Sequence, residues 1–375
     1  MWMTHRKTVG LLVLGPCLVA LGAAGGRAAP LPARPGARPE ALVRSRDRDY
    51  SKEASRFDSL GTVESVAFSP DGTKVAAGLS GYHRIYVWDV KTKTLLHQLE
   101  PPRGWGWIHT VAFSPDGKTL AGSATGGPGD ATPIVLWDVA TGGRLRGLGQ
   151  AGSESYGFAL APDGKTAALA CGQVEVYDTA SGRLVWKADG PNVWGVTYCP
   201  VGDMLAALDI ENTLTLRSAA TGKLLARLPG AGRNLAMHAR PGFSPDGNLL
   251  AVRNNDRTVD VWDVATLKKV RRLEAPQNRE LPLRESFGHS YAVFSPDNTV
   301  LVSGEYGRTG GVLAVYDLST GKELNQLGAE LSGFKCAAFN PEGTVLATGS
   351  VGGAVHLFGG TPRVVEAKPG ERKGP

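Results

Sequence analysis

Seven short turn segments recur along this sequence, and six of them carry an acidic residue at the same place. They read VAFSPDG at 66–72 and 111–117, LAPDG at 160–164, YCPVG at 198–202, FSPDG at 243–247, FSPDN at 294–298 and FNPEG at 339–343. Catalytic carboxylates must converge on one substrate, whereas these acids are spread evenly along the chain. Proline presets φ, aspartate caps its own backbone and glycine takes a positive φ, so we interpret these acids as turn caps.

Two further motifs resemble catalytic ones but lack their context. GKT at 117–119 and 164–166 resembles the end of a phosphate-binding loop, yet Ala112 and Ala159 stand where that loop requires glycine. The segment GHSYA at 288–292 resembles a nucleophile elbow without the strand–elbow–helix context. The sequence therefore predicts no enzyme and no cofactor.

Aromatic and basic residues between the repeats are better candidates, for binding rather than catalysis, because Trp and Arg dominate interface hot spots. The candidate partner-binding residues are Trp105, Trp107, His109, Trp194, Arg233, His238, Arg279, Arg284, His289, Tyr306 and Arg308. The arginines could bind a carboxylate or phosphate bidentately. The alternatives are ordinary solvated charge for the arginines, and indoles folded onto neighbouring repeats for the tryptophans.

Three of these candidates share a position in their repeats. His109, His238 and His289 lie four or five residues before the aromatic residue of the turn segment. Imidazoles there could share a metal ion, but the repeats concerned are not all neighbours. We therefore predict no metal site, and keep a small-molecule or metal site as an alternative.

The elements that must position these residues follow from the period. The turn prolines are spaced by 45, 47, 38, 45, 51 and 45 residues, which suits one four-stranded propeller blade per repeat. Each repeat holds four short apolar runs separated by turn residues, which predicts strands. Five repeats add an aromatic–Asp pair before a second turn: Trp88-Asp89, Trp137-Asp138, Tyr177-Asp178, Trp262-Asp263 and Tyr316-Asp317.

FSPDG, then WD, then TG at this period resembles the WD-repeat (WD-40 type) β-propeller family, as a bacterial exported member, over roughly 57–367. The resemblance implies an all-β, seven-bladed propeller of four-stranded antiparallel blades. It also implies protein partners held by loops. Blade four departs from the pattern at Arg217-Ser218, and blade seven at Phe358-Gly359.

Ring closure requires a terminal strand, because an open propeller leaves sheet edges unpaired. Either 56–60, RFDSL, or 362–367, PRVVEA, could supply it. We favour the C-terminal segment for its valines.

Charge argues against a nucleic-acid partner. The formal net charge is +6, but 61–360 holds 27 basic and 28 acidic residues, so the excess lies in the tails. A nucleic-acid binder should carry a basic face on its folded part.

The N-terminal segment predicts export. A charged start, the apolar stretch VGLLVLGPCLVALGAA and small residues after it are typical of a signal peptide over 1–29. The stretch is too short and too interrupted for a stable membrane span. A Pro/Arg-rich linker is predicted at 30–56 and a disordered tail at 368–375. Cys171, Cys199 and Cys336 would remain after cleavage, with Cys199 buried and a Cys171–Cys199 bridge as an alternative.

Loop lengths indicate where binding occurs. The two turns of each repeat hold their length while the other two connections vary, so the variable connections should share one face. We predict a monomeric, non-enzymatic scaffold outside the cytoplasm, periplasmic or secreted, that binds protein through this face. The alternative is an envelope propeller similar to the TolB type, which also uses FSPDGK but usually lacks the WD-x-x-TG segment.

Overall fold

The structure is a computed structural model. It describes residues 45, 48–50, 53–59, 61–81, 83–126, 132–151, 153, 155–211, 213–228, 240–254, 258–274, 291–307, 310–327, 333–359 and 361–362. The predicted signal peptide, most of the predicted linker and the predicted tail lie outside these residues. Within the described ranges, no helix is long and apolar enough to cross a membrane.

The described chain forms an all-β propeller of seven four-stranded antiparallel blades, numbered here in chain order. From the innermost to the outermost strand, blade 1 consists of Val63–Phe68, Lys74–Leu79, Ile85–Asp89 and Leu95–Leu99, and blade 2 of Trp105–Phe113, Thr119–Gly126, Ile134–Asp138 and Arg144–Leu148. Blade 3 consists of Gly157–Leu160, Thr166–Cys171, Gln173–Asp178 and Leu184–Lys187, and blade 4 of Val193–Tyr198, Leu205–Asp209, Leu214–Arg217 and Leu224–Arg227. The strands of blades 5 and 6 are Gly242–Phe243, Leu249–Arg253, Val259–Asp263 and Lys268–Leu273; Tyr291–Phe294, Val300–Gly307, Gly310–Asp317 and Glu323–Leu327.

Blade 7 closes the ring with strands from both ends of the chain. Phe334–Phe339, Val345–Ser350 and Ala354–Gly359 provide three strands, and Glu53–Asp58 pairs antiparallel with the third as the outer strand. The prediction that the C-terminal segment fills this place is therefore wrong. The closing strand also begins at Glu53, inside the predicted linker. Beyond blade 7, a two-residue strand Arg48–Asp49 pairs with Thr361–Pro362.

The repeated turn segment is stabilised within itself. In blade 1 the Ser69 hydroxyl donates to Asp71 Oδ1 at 2.5 Å, and the backbone N–H of Thr73 donates to the same oxygen at 3.0 Å. These bonds hold the pKa of Asp71 at about 2. Ser114 with Asp116, Ser244 with Asp246 and Ser295 with Asp297 repeat the hydroxyl–carboxylate bond. The structure confirms that these acids are turn caps.

The same turn also joins neighbouring blades. A Cβ added at Gly117 would lie 3.6 Å from Pro70 Cδ, and one at Gly164 would lie 3.3 Å from Pro115 Cδ. One at Gly72 would lie 3.4 Å from Pro341 Cδ, across the junction of blades 7 and 1. The glycine of one repeat therefore fits against the proline of the preceding repeat, which is one reason why this short sequence recurs.

Blade 4 replaces the missing aspartate of its second turn with an acid from its first. Asp203 accepts hydrogen bonds from the Ser218 hydroxyl at 2.7 Å and from the Ala220 N–H at 2.7 Å. In blade 2, by contrast, Asp138 accepts from the N–H and hydroxyl of Thr141. The departure in sequence thus keeps a carboxylate at the second turn.

A polar contact that we call the clasp links several blades at their outer strands. The clasp residue lies nine positions after the aromatic residue of the third strand and bonds to a backbone carbonyl in the second turn of the next blade. The clasps are His97 to Val139, Arg146 to Ala180, Trp186 to Ala219 and Arg271 to Ser319. Blade 4 has Ala226 at this position, so the junction of blades 4 and 5 has no clasp of this kind.

Cys171, Cys199 and Cys336, the cysteines in the described part of the chain, are free thiols. Cys199 is buried, as predicted, and the alternative of a Cys171–Cys199 bridge is not realised. Burial raises the pKa of the Cys336 thiol to about 12. The pKa of the Cys171 thiol is also raised, mainly by burial and secondly by the nearby carboxylate of Glu175. Neither thiol is suited to act as a nucleophile near neutral pH, because the thiolate is the reactive form.

Candidate binding site at the channel mouth

Strand direction places the variable connections together. In each blade the strands alternate in direction, so the two short turns lie at one face and the other two connections at the opposite face, called here the variable-loop face. Each innermost strand starts at that face and lines the central channel of the propeller. Residues at these starts form what we call the channel mouth.

β-Bulges near the starts of four innermost strands set the orientation of side chains at the channel mouth. The register of the innermost strand with its neighbour shifts between Val63 and Ser65, and the same shift occurs in blades 2, 4 and 7. A bulge re-aims the extra residue away from the regular alternation of the strand. The residues so placed are Glu64, His109, Trp194 and Lys335.

An ion pair joins two of these residues between blades 7 and 1. Lys335 Nζ lies 2.7 Å and 2.9 Å from the two carboxylate oxygens of Glu64, and the Ser80 hydroxyl donates to the same carboxylate at 2.7 Å. Glu64 is buried and Lys335 is largely so. The negative charge of Glu64 is therefore balanced within the mouth.

Aromatic rings line the other side of the mouth. The rings of His109 and Tyr156 have centroids 6.3 Å apart, and those of Tyr156 and Trp194 are 4.8 Å apart in an edge-to-face arrangement. Three blades thus contribute one continuous wall, of which Tyr156 and Trp194 are partly exposed. Such a wall offers apolar contact area with little side-chain entropy to lose.

Arg240 reaches from the start of blade 5 to blades 2 and 3. Its Nη2 donates to the backbone carbonyl of His109 at 2.6 Å and to that of Tyr156 at 3.5 Å. Burial lowers the pKa of this guanidinium to about 10, so it remains charged at neutral pH. No described carboxylate forms an ion pair with Arg240, so the described part of the mouth carries a net positive charge.

The structure separates the two tryptophans that were predicted together. Trp105 is only 5% exposed, donates from Nε1 to the Thr132 carbonyl at 2.8 Å, and packs edge-to-face on Trp137. We therefore remove Trp105 from the binding surface and assign it to packing. Trp107 is 63% exposed and lies on the variable-loop face, at the start of blade 2.

The histidines do not form a metal site in the described part of the chain. His109 is buried, with its ring against Tyr156, and is better suited to support the wall than to meet a partner directly. The described residues contain no group of three metal-ligating side chains. Arg233, His238, Arg279, Arg284, His289 and Arg308 lie outside the described residues, and Tyr306 is described only by its place in Val300–Gly307.

Sequence reasoning missed Glu64, Tyr156 and Lys335, although it identified their position in the repeat. Glu64, His109, Tyr156, Trp194 and Lys335 all lie four residues before the last residue of the innermost strand. That position was predicted to matter only where it holds a histidine, as a candidate metal ligand. Arg240 has no such signal, since its role depends on contacts with blades 2 and 3.

Family models match two parts of the chain. Residues 170–355 match a family described as outer membrane protein assembly factor BamB, and residues 55–89 match the WD domain, G-beta repeat. Together with the relatives, these matches support a WD-repeat β-propeller.

Curated relatives match over limited lengths. WD repeat-containing protein SL1-17 of Schistosoma mansoni is 28% identical over 35% of this chain and 44% of its own. Meiotic recombination protein rec14 of Schizosaccharomyces pombe is 28% identical over the same two shares. Telomerase protein component 1 of Rattus norvegicus is 26% identical over 52% of this chain and 7% of its own. The chain thus spans less than half the length of these relatives.

Proposed function

We propose that this propeller is a non-enzymatic scaffold that binds a protein partner through its variable-loop face. The observation that carries the proposal is the set of bulged innermost strands, which direct side chains from four blades to one mouth. Bulges next to functional sites commonly re-aim a side chain. Rigid blades hold these groups in place before binding, so little ordering entropy is lost.

The matches support the general role. The WD-repeat relatives and the BamB-type family model are consistent with a propeller that assembles with other proteins. The family matched over 170–355 is described as an outer membrane protein assembly factor, and the signal peptide predicted at 1–29 agrees with export. We accordingly propose that the scaffold acts outside the cytoplasm, in the periplasm or as a secreted protein.

Trp107 is the proposed outer anchor of the partner. It is the most exposed large apolar side chain among the described residues, and it lies on the same face as the mouth. Large aromatic anchors commonly contribute most of the binding energy of an interface.

A capture experiment tests this function. The full chain, tagged at its C-terminus, is expressed in its native cells, cross-linked and purified, and the proteins retained are identified. A discrete partner should be captured by wild type and by Leu225→Ala, a control exposed on an outer strand, and lost with Trp107→Ala. Equal capture by Trp107→Ala and wild type would place the interface elsewhere.

A further inference from the structure

Thr110 carries a buried hydroxyl in the innermost strand of blade 2. The side chain is nine-tenths buried, and its Oγ1 has no hydrogen-bond partner among the described residues. A buried hydroxyl without a partner destabilises the fold. A ligand that bonds to this hydroxyl would remove that penalty.

Arg240 lies at the same place, and some of its N–H groups make no hydrogen bond to a described residue. Only its Nη2 takes part in the bonds to the carbonyls of His109 and Tyr156. Nε and Nη1 make no hydrogen bond to a described residue, and neither belongs to the buried unpartnered atoms of the described chain. Three of the five N–H groups of the guanidinium thus remain for a ligand.

Gly157 presents a face without a side chain where these two groups meet. A Cβ added to Gly157 would lie 3.6 Å from Thr110 Oγ1 and 3.8 Å from Arg240 Nε. The backbone carbonyl of Trp194 lies 3.8 Å from the same point, on a third side. A methyl group at this point would make ordinary contacts with both donors, so the two donors face the same side of Gly157, and the carbonyl would direct a negatively charged group towards them.

Charge selects the ligand that fits. The described mouth has one unbalanced positive charge, Arg240, since Glu64 and Lys335 neutralise each other. A phosphate monoester carries about −1.5 to −2 at neutral pH and would leave excess negative charge near Glu64. A carboxylate carries one negative charge, which balances the guanidinium.

We propose that the space beside Gly157 binds a carboxylate group, held by the hydroxyl of Thr110 and the guanidinium of Arg240. This inference rests on the proposed function, since we assign the carboxylate to an acidic peptide segment of the protein partner. The apolar part of that segment packs against the rings of Tyr156 and Trp194. A free small carboxylate presents the same chemistry and is the other source.

The test selects peptides on the purified full chain from a random 12-residue display library. Enriched peptides are synthesised with a fluorophore, and their affinities are measured by anisotropy, together with variants in which each Glu or Asp is replaced by its amide. Acetate and succinate, added up to tens of millimolar, compete in a separate series.

Three variants locate the site. Thr110→Val removes the hydroxyl at constant shape. Gly157→Ala fills the space, and its methyl group makes only ordinary contacts, so the fold should be retained. Thr348→Val is the matched control, because Thr348 is also buried and has an unpartnered hydroxyl among the described residues, in blade 7.

The expected result is that enriched peptides require one acidic residue. Its amide variant should bind about tenfold more weakly or worse, as should Thr110→Val and Gly157→Ala with the acidic peptide, because a charged hydrogen bond is lost. Thr348→Val should bind as wild type. Saturable binding of succinate as tight as that of any peptide would assign the site to a free carboxylate instead.

Two outcomes overturn the proposal in different ways. Peptides that bind without any acidic residue, and lose affinity with Trp107→Ala, would refute the carboxylate site while retaining the scaffold. No selected peptide and no saturable binding of acetate or succinate would refute both.

Discussion

Trp105 and Trp107 lie two residues apart and have opposite roles. The register of blade 2 shifts between Trp105 and Ile108, which turns Trp105 into the core and leaves Trp107 at the surface. Strand alternation alone would place both indoles on the same side. Sequence reasoning treated the two tryptophans alike because it did not predict the bulge that separates them.

Their substitutions should therefore differ in stability. Trp105→Ala should lower the free energy of unfolding by about 3–5 kcal/mol, since it removes a large buried side chain. Trp107→Ala should change it by no more than about 0.5 kcal/mol. Urea unfolding followed by circular dichroism measures both, and equal losses for the two variants would contradict the assignment of Trp107 to a binding surface.

The position of the mouth residues was open to prediction, whereas their chemistry was not. The place four residues before the end of an innermost strand follows from the repeat, and it gives Glu64, Tyr156 and Lys335 as readily as His109. The contact of Arg240 with carbonyls of blades 2 and 3 joins parts of the chain 131 and 84 residues apart. No local pattern in the sequence reports such a contact.

At the scale of elements, the clasp depends on a large residue facing a small one. A Cβ added at Gly222 would lie 2.6 Å from Trp186, and one at Gly142 would lie 2.8 Å from His97. The junction of blades 4 and 5 reverses this arrangement. There Ala226 is the small residue and Leu267, with φ of 56°, occupies the turn, and both pack against the same core cluster.

The same exchange of a large and a small residue can be introduced by mutation at the junction of blades 3 and 4. Gly222→Leu alone should destabilise the protein because the new side chain collides with Trp186. Adding Trp186→Ala should recover part of the loss, with a coupling energy of about 0.5–3 kcal/mol in a double-mutant cycle measured by urea unfolding.

Backbone strain needs its own control in this experiment. Gly202→Leu has a similar positive φ of 80°, but no neighbouring atom lies within 4 Å of the added Cβ. Its free energy of unfolding should fall only by the strain of leucine in a left-handed backbone conformation, and Trp186→Ala should not restore it. Strictly additive effects of Gly222→Leu and Trp186→Ala would refute the proposed fit.

The strands and turns were predictable from sequence because each repeat states them locally. The closing strand was not, since valine content was the wrong criterion for an outer position. The outer strands of blades 1 to 5 are mostly exposed, and Glu53–Asp58 matches them with Phe57 as its buried side chain. A polar segment with one inward aromatic residue suits that position better than a valine-rich one.

At the scale of the whole molecule, ring closure places a buried histidine of blade 7 next to the N-terminal strand that closes the ring. His356, in the third strand of blade 7, is 2% exposed and its Nδ1 lies 3.1 Å from Glu53 Oε1 of the closing strand. Burial lowers the pKa of His356, and this effect exceeds the opposing influence of Glu53. The neutral imidazole is thus the form that the closed ring favours.

Acidification should therefore weaken ring closure. The unfolded chain takes up a proton near pH 6.5, before the folded one does. The stability that depends on neutral His356 is present above this pH and is lost as the pH falls towards the folded-state pKa. Thermal melting between pH 7.5 and 5.5 should show this fall in wild type and a smaller one in His356→Gln.

A second variant separates this effect from general destabilisation. Phe57→Ala removes the buried contact with Trp88, whose ring centroid lies 5.4 Å away, and should lower the melting temperature by a similar amount at each pH. An identical pH dependence in His356→Gln and wild type would exclude His356 as the group responsible.

The central claim, that a partner binds at the variable-loop face, is tested most directly by photo-cross-linking in intact cells. A photoreactive amino acid replaces Trp107 on that face or Leu225 on an outer strand, and adducts are identified by mass spectrometry. We predict a discrete protein adduct from position 107 that is absent from position 225. Adducts from position 225 alone would contradict the claim.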